Sequence, residues 1–258
     1  MHFTRAVASL ALLFLTVRGH GAITQVKGAN GVNAAAFGID ASTPRDGTRA
    51  RPFQQDTSII RDREIARGTA SACGRTRLGG VNDIAAQMAA ASSDGLPSAT
   101  TAGEVEMTLH QINGDGAGPY TCDVNTDGTG NAFTPMQVTT QVPGNNGRSR
   151  ARAEDFPLVA QMPAGTTCTG GPDGNACLVR CRNPARAGPF GGCVAVTMGD
   201  AAATNAGGNA TDTTAAGTAD AETAAAEAAE AAEDDGTPKR KRVVKSRIIS
   251  RELAGQWI

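Results

Sequence analysis

Five short stretches of this chain, at residues 22–26, 105–112, 136–142, 177–180 and 193–198, are extended in character, rich in apolar and β-branched residues, and read as strands. Clusters of Gly, Thr, Asn, Asp and Pro separate them, which is turn and loop chemistry. Residues 82–91 alone carry a helical pattern, with Asp83 near the start and Gly95 beyond the end. Many short strands with polar connections, and 32 glycines in all, predict a mainly β fold, a β-sandwich with long loops.

Two segments stand outside that pattern. Residues 1–5 are basic and 6–17 are apolar over a length too short to span a bilayer, and Val17-Arg18-Gly19 supplies a cleavage site. Residues 1–19 are therefore expected to be a secretory signal, which leaves His20 as the mature N-terminus. Residues 20–200 form the predicted domain, long enough for a core of its own. Residues 201–238 are nearly all Ala, Thr, Gly, Asp and Glu, and predict a disordered linker. Within it, Asn209-Ala210-Thr211 is an N-glycosylation acceptor. Residues 239–258 open with Lys239-Arg240-Lys241-Arg242, a basic tail that is solvated or removed at a dibasic processing site.

Charge narrows the partners. With 24 basic and 25 acidic residues, nothing draws the chain to nucleic acid or to a bulk membrane surface. No later apolar run predicts a membrane span, and no association signal is visible, so an extracellular monomer is expected. Cys73, Cys122, Cys168, Cys177, Cys181 and Cys193 are an even set behind a signal, which predicts three disulfides. A zinc site using Cys177-x-x-x-Cys181 is the rival reading. The sequence does not choose among the pairings.

Histidine changes the picture most. The chain has 3, and His2 leaves with the signal, so the mature protein keeps His20 and His110. An N-terminal histidine offers two nitrogens, its α-amine and its imidazole. With His110 as the third, these make the minimum set for a copper histidine brace, and copper(II) favours such tetragonal nitrogen sites. His110 ends a predicted strand and leads into Asn113-Gly114-Asp115-Gly116-Ala117-Gly118-Pro119-Tyr120, a loop that would hold a ligand open to solvent. The plain alternative makes His110 an ordinary hydrogen-bonded strand histidine, and a cut after Ala22 would delete the site. A second metal reading rests on Asp123-Val124-Asn125-Thr126-Asp127-Gly128, which copies the first half of a calcium loop. Thr134 stands where that loop needs its bidentate Glu, and an Asx turn explains the same residues. Asp123 is also a candidate carboxylate ligand beside His110. No nucleophile–base motif is present. Aromatic residues are only 3%, with one Tyr (Tyr120) and one Trp (Trp257), so a flat platform for stacking sugars is missing.

Three blocks, His20-Gly21-Ala22-Ile23, Thr108-Leu109-His110-Gln111 through Cys122-Asp123, and Cys177-Leu178-Val179-Arg180-Cys181, resemble the secreted fungal Egh-type virulence factors, also described as appressorium-specific, Gas/Mas-like proteins. The resemblance covers residues 20–200 and implies an extracellular protein of host penetration. A more distant one is to lytic polysaccharide monooxygenases, copper enzymes of immunoglobulin-like fold that begin with His. It implies an immunoglobulin-like β-sandwich and an axial aromatic at Phe190, three residues before Cys193. Two positions depart from the monooxygenase pattern: Gly116 stands where the second ligand falls, and Gly188 where a glutamine is expected. The resulting expectation is a virulence factor with a copper brace at His20 and His110. Oxidative cleavage of cell-wall glycan is the enzyme alternative. A non-catalytic effector or adhesion module, with calcium at Asp123, Asn125 and Asp127, is the other.

Overall fold

A computed structural model describes residues 20–48 and 53–199. The expected signal, linker, glycosylation site at Asn209 and basic tail lie outside the described residues. In chain order the elements are β1 (Gly21–Lys27), β2 (Asn33–Ala34), β3 (Ser58–Ile59), α1 (Asp62–Ala66), β4 (Arg75–Thr76), β5 (Gly80–Val81), α2 (Ile84–Asp94), β6 (Glu104–Gln111), β7 (Thr121–Asn125), β8 (Thr134–Thr140), β9 (Glu154–Gln161), β10 (Ala176–Arg182) and β11 (Phe190–Thr197). The strands form one antiparallel order, β2-β1-β6-β9-β8-β7-β10-β11-β3-β4-β5.

This mainly β, disulfide-bonded fold agrees with the expectation, but the two layers of a sandwich are here one continuous, curled sheet. The corner is β8. Its first half pairs with β7 (Met136 opposite Cys122) and its second half with β9 (Val138 opposite Ala160). Curling brings β1 against β11 and encloses the main core. Ile23, Val26, Val105, Met107, Leu109, Leu158, Val179 and Val194 meet there. On β6 the burial follows the alternation in the sequence: Val105, Met107 and Leu109 point inward while Glu104, Glu106 and Thr108 do not. β10 and β11 are covered on both faces. Val179 and Val194 enter the main core, whereas Leu178 and Ala195 pack in a second cluster with Met88 of α2. The Asp83 carboxylate caps α2 by accepting from the Ala86 N–H at 3.0 Å, and Gly95, at φ 95°, ends it.

All six cysteines are paired: Cys73–Cys193, Cys122–Cys181 and Cys168–Cys177. The zinc reading of Cys177 and Cys181 is thereby replaced, because each sulfur is bonded to a different partner. Cys73–Cys193 closes the longest loop, with a sequence separation of 120. Loop-closure entropy in the unfolded chain grows with that length. Replacing both by serine is expected to lower unfolding free energy by about 2–5 kcal/mol in denaturant titrations. A loss within error of zero would refute this.

Candidate metal centre at the start of the first strand

His20 immediately precedes β1 and extends its ladder by one step: its carbonyl accepts from the Ile112 N–H at 3.1 Å. Two residues further on, Ala22 lies opposite His110. Residues two apart on a strand share a face, so His20 and His110 are diagonal neighbours across β1 and β6. By ladder geometry such pairs lie about 7–8 Å apart, within reach of two imidazoles turned toward one ion. Both residues are 4% exposed.

The surroundings fix both rings. β9 places Asp155 opposite His110, and their side chains meet at 2.6 Å between Nδ1 and Oδ1. A carboxylate only accepts, so Nδ1 carries the hydrogen and donates it, which leaves the neutral ring's lone pair on Nε2. Phe190, the first residue of β11, sets its ring 5.2 Å from that of His20, tilted by 34°. The aromatic that the distant resemblance implied thus lies beside His20.

The Gly-rich loop after β6 seats the first residues of the domain. The Asn113 Oδ1 accepts from the His20 N–H at 3.2 Å and the Asp115 N–H at 3.3 Å. Gly116 faces the His20 carbonyl so closely that any Cβ there would collide with it. A Cβ on Gly21 would likewise collide with the Tyr120 hydroxyl. The position where the resemblance sought a ligand therefore lets two backbones touch. Tyr120 is buried, and its hydroxyl donates to the Gly116 carbonyl at 3.0 Å. Burial pushes its phenol well above its usual value of 10.0. As the chain's one tyrosine, it gives a clean signal. A group whose folded pKa is raised contributes stability below the unfolded pKa and loses it above. Tyrosinate absorbance is therefore expected to appear only with unfolding above pH 10.0, rather than as a separate earlier titration.

Asn183 joins the loop to Phe190. It is buried, and its Nδ2 donates to the Asp115 and Ala117 carbonyls at 2.8 and 2.9 Å. Its Oδ1 accepts from the Phe190 N–H at 2.9 Å and the Ala185 N–H at 3.3 Å. Gln111, fully buried, holds the next loop through donation to Ser149 Oγ at 2.7 Å and the Ala151 carbonyl at 3.0 Å. Sequence reasoning missed Asp155, Asn183 and the roles of Asn113 and Gln111. Only Asn113 carried a local signal, as an Asx residue opening a turn.

The calcium segment is otherwise engaged. Asp123 pairs with Arg180 at 3.1 Å, and that guanidinium lies 3.8 Å over the Phe133 ring. Asp123 is engaged with Arg180 in this structure. The Asn125 amide donates to the Ala132 carbonyl at 2.7 Å and its Oδ1 accepts from the Gly130 N–H. Asp127 accepts from the Thr129 N–H and hydroxyl, and the first of these bonds is the larger cause of its lowered pKa. These are the bonds of an Asx turn at the end of β7. Among the described residues no three His, Cys, Asp or Glu side chains gather as a metal site. A brace asks for only two histidines and a main-chain nitrogen.

The family model for Egh16-like virulence factors matches residues 18–191, a span that takes in His20, the Gly-rich loop, His110 and Phe190. This chain belongs to the Egh16-like virulence factor family. It is 45% identical over 204 residues to appressoria-specific virulence factor GAS1 of Pyricularia oryzae, covering 77% of this chain and 79% of that protein. It is 34% identical over 264 residues to appressoria-specific virulence factor GAS2 of the same fungus, covering 78% and 91%. No solved structure matches it. The Egh16-like domain has three disulfides, and among its described residues no helix is long and apolar enough to cross a membrane.

Proposed function

We propose that this Egh16-like protein is exported, is cut before His20, and acts at the fungal surface or host interface during infection with a copper ion held by His20 and His110. The α-amine and imidazole of His20 and the Nε2 of His110 are the three donors. The observation that carries the reading is the diagonal placement of the two histidines, with Asp155 directing one ring and Phe190 against the other. The donor set fits the metal, since an all-nitrogen, borderline-soft site is one copper(II) prefers. Copper bound there would supply one-electron redox chemistry. The residues of the chain hold the rings, fix the His110 tautomer and keep the site at a strand end.

Secretion is supported by the signal-like residues 1–19 and by the three disulfides. The virulence role is supported by the family and by the names of its two relatives in Pyricularia oryzae. A second reading, oxidation of cell-wall glycan, is supported by the contact between the Phe190 and His20 rings.

The test compares the mature protein, beginning at His20, with a version carrying one alanine before it. That alanine converts the amine to an amide and leaves both imidazoles in place. Electron paramagnetic resonance with one equivalent of copper(II) is expected to show a tetragonal nitrogen site in the first and to lose it in the second. Identical weak spectra from both would sink the reading.

A further inference from the structure

A cleft of about 560 Å³ is lined by Asp115, Asn146, Arg148, Pro184, Arg186 and Ala187. That volume is within the range of ligand sites, about 300–1,000 Å³. One wall is the turn whose Gly116 abuts His20, and the other is the loop that runs from Asn183 to Phe190. We propose that this cleft binds the uronate rings of an acidic glycan, with Arg148 and Arg186 receiving the carboxylates and Asp115 and Asn146 the hydroxyls.

The charges set the ligand. Arg148 reaches Asp115 through its Nε at 3.2 Å while its side chain stays 75% exposed. Arg186 is exposed and, among the described residues, has no carboxylate partner. Two guanidinium forks thus stand against one carboxylate, and such forks take a planar carboxylate through paired hydrogen bonds.

The walls are held in place. Asp115 is fixed through its own N–H and carbonyl by Asn113 and Asn183. The Arg186–Ala187 wall is fixed by Arg61, which donates to the Ala187 and Gly188 carbonyls. Asp115 then decides between acidic ligands. It is an acceptor inside the cleft and needs donors opposite it. A uronate ring carries hydroxyl donors and a carboxylate acceptor together. A polyphosphate offers acceptors only, and its tetrahedral groups lack the planar two-oxygen edge that a guanidinium fork matches in a carboxylate. With no aromatic side chain in the lining, recognition falls to charge and hydrogen bonds instead of stacking.

Binding in this cleft requires no metal. Only its use as a substrate groove for the two histidines rests on the copper reading. The test is calorimetry on metal-free mature protein at physiological salt, with oligogalacturonate, its methyl-esterified form, and polyglutamate of matched charge. The free acid is expected to bind at least about tenfold more tightly than either of the others. Arg186→Gln alone is expected to weaken binding several-fold with the thermal midpoint unchanged, because its side chain is exposed and unpaired among the described residues, and the Arg148→Gln/Arg186→Gln pair at least about tenfold. No binding by the unaltered protein, or equal binding to the ester, overturns the cleft. Equal binding to polyglutamate overturns the glycan assignment. Protein that binds oligogalacturonate but takes up no copper keeps the cleft and loses the copper reading. The reverse result loses the cleft alone.

Discussion

A His110→Ala chain is expected to fold and to lose at least about a hundredfold in copper(II) affinity, equivalent to about 2.7 kcal/mol. The substitution removes one of three nitrogens and leaves the His20 amine and imidazole, a pair that any peptide beginning with histidine presents. Folding survives because the partner left behind is Asp155, whose side chain is 63% exposed and rehydrates readily. Competition against a chelator of known affinity gives the number, and the resonance spectrum shows whether the nitrogen set has changed. Equal affinity in the two proteins would remove His110 from the site and return it to an ordinary strand residue held by a carboxylate.

The largest effect on stability belongs to Asn183→Ala, with an expected loss of about 3–5 kcal/mol. Truncation strands the carbonyls of Asp115 and Ala117 and the N–H groups of Ala185 and Phe190, all bonded to that one buried amide. Each orphaned buried group costs about 1–3 kcal/mol, and part of this is recovered by water entering the gap. Asn183→Asp keeps the two acceptor contacts but cannot donate to the carbonyls, so it is expected to rescue little. Chemical denaturation checks both variants, and a loss under about 1 kcal/mol would show that the amide is dispensable. In the same variants the ring of Phe190 should loosen from His20, a change visible in aromatic proton shifts.

The strands that the sequence revealed are those with clean alternation or a compact apolar run. Val105, Met107 and Leu109 mark β6, and the apolar runs at 177–180 and 193–198 mark β10 and β11, with bounds extended by a few residues in the structure. β9 escaped because Glu154 and Asp155 open it and Pro157 interrupts it. That proline is tolerated because β8 pairs with β9 only at residues 159–161, so Pro157 has β6 alone beside it. β7 was hidden beneath its Asx-rich end, where Asp123, Asn125 and Asp127 copy the first half of a calcium loop; in the structure Asp123 pairs with Arg180, and Asn125 and Asp127 accept hydrogen bonds within a turn.

The site divides along the same line. His20 and His110 stood out by rarity and position, and Phe190 by resemblance. Asp155 and Asn183 act only through register and loop closure. Nothing local in the sequence shows that residue 155 will sit opposite residue 110, or that residue 183 will reach residues 115 and 190 together. The glycines misled for a related reason. Gly116 appeared as a missing ligand, when its value lies in the Cβ it lacks.

The ring against His20 belongs to the last strand of the domain, while His20 itself opens the first. A chain emerging from the ribosome presents those two pieces at opposite ends of its schedule. Between residue 111 and residue 183 the first strand has β6 available as a neighbour but lacks the Phe190 ring, the Asn183 amide and the sulfur that Cys73 will bond. All three arrive within the eleven residues from 183 to 193. Completion is therefore all at once, and a chain stalled before that stretch carries an open end where the finished protein has a closed one.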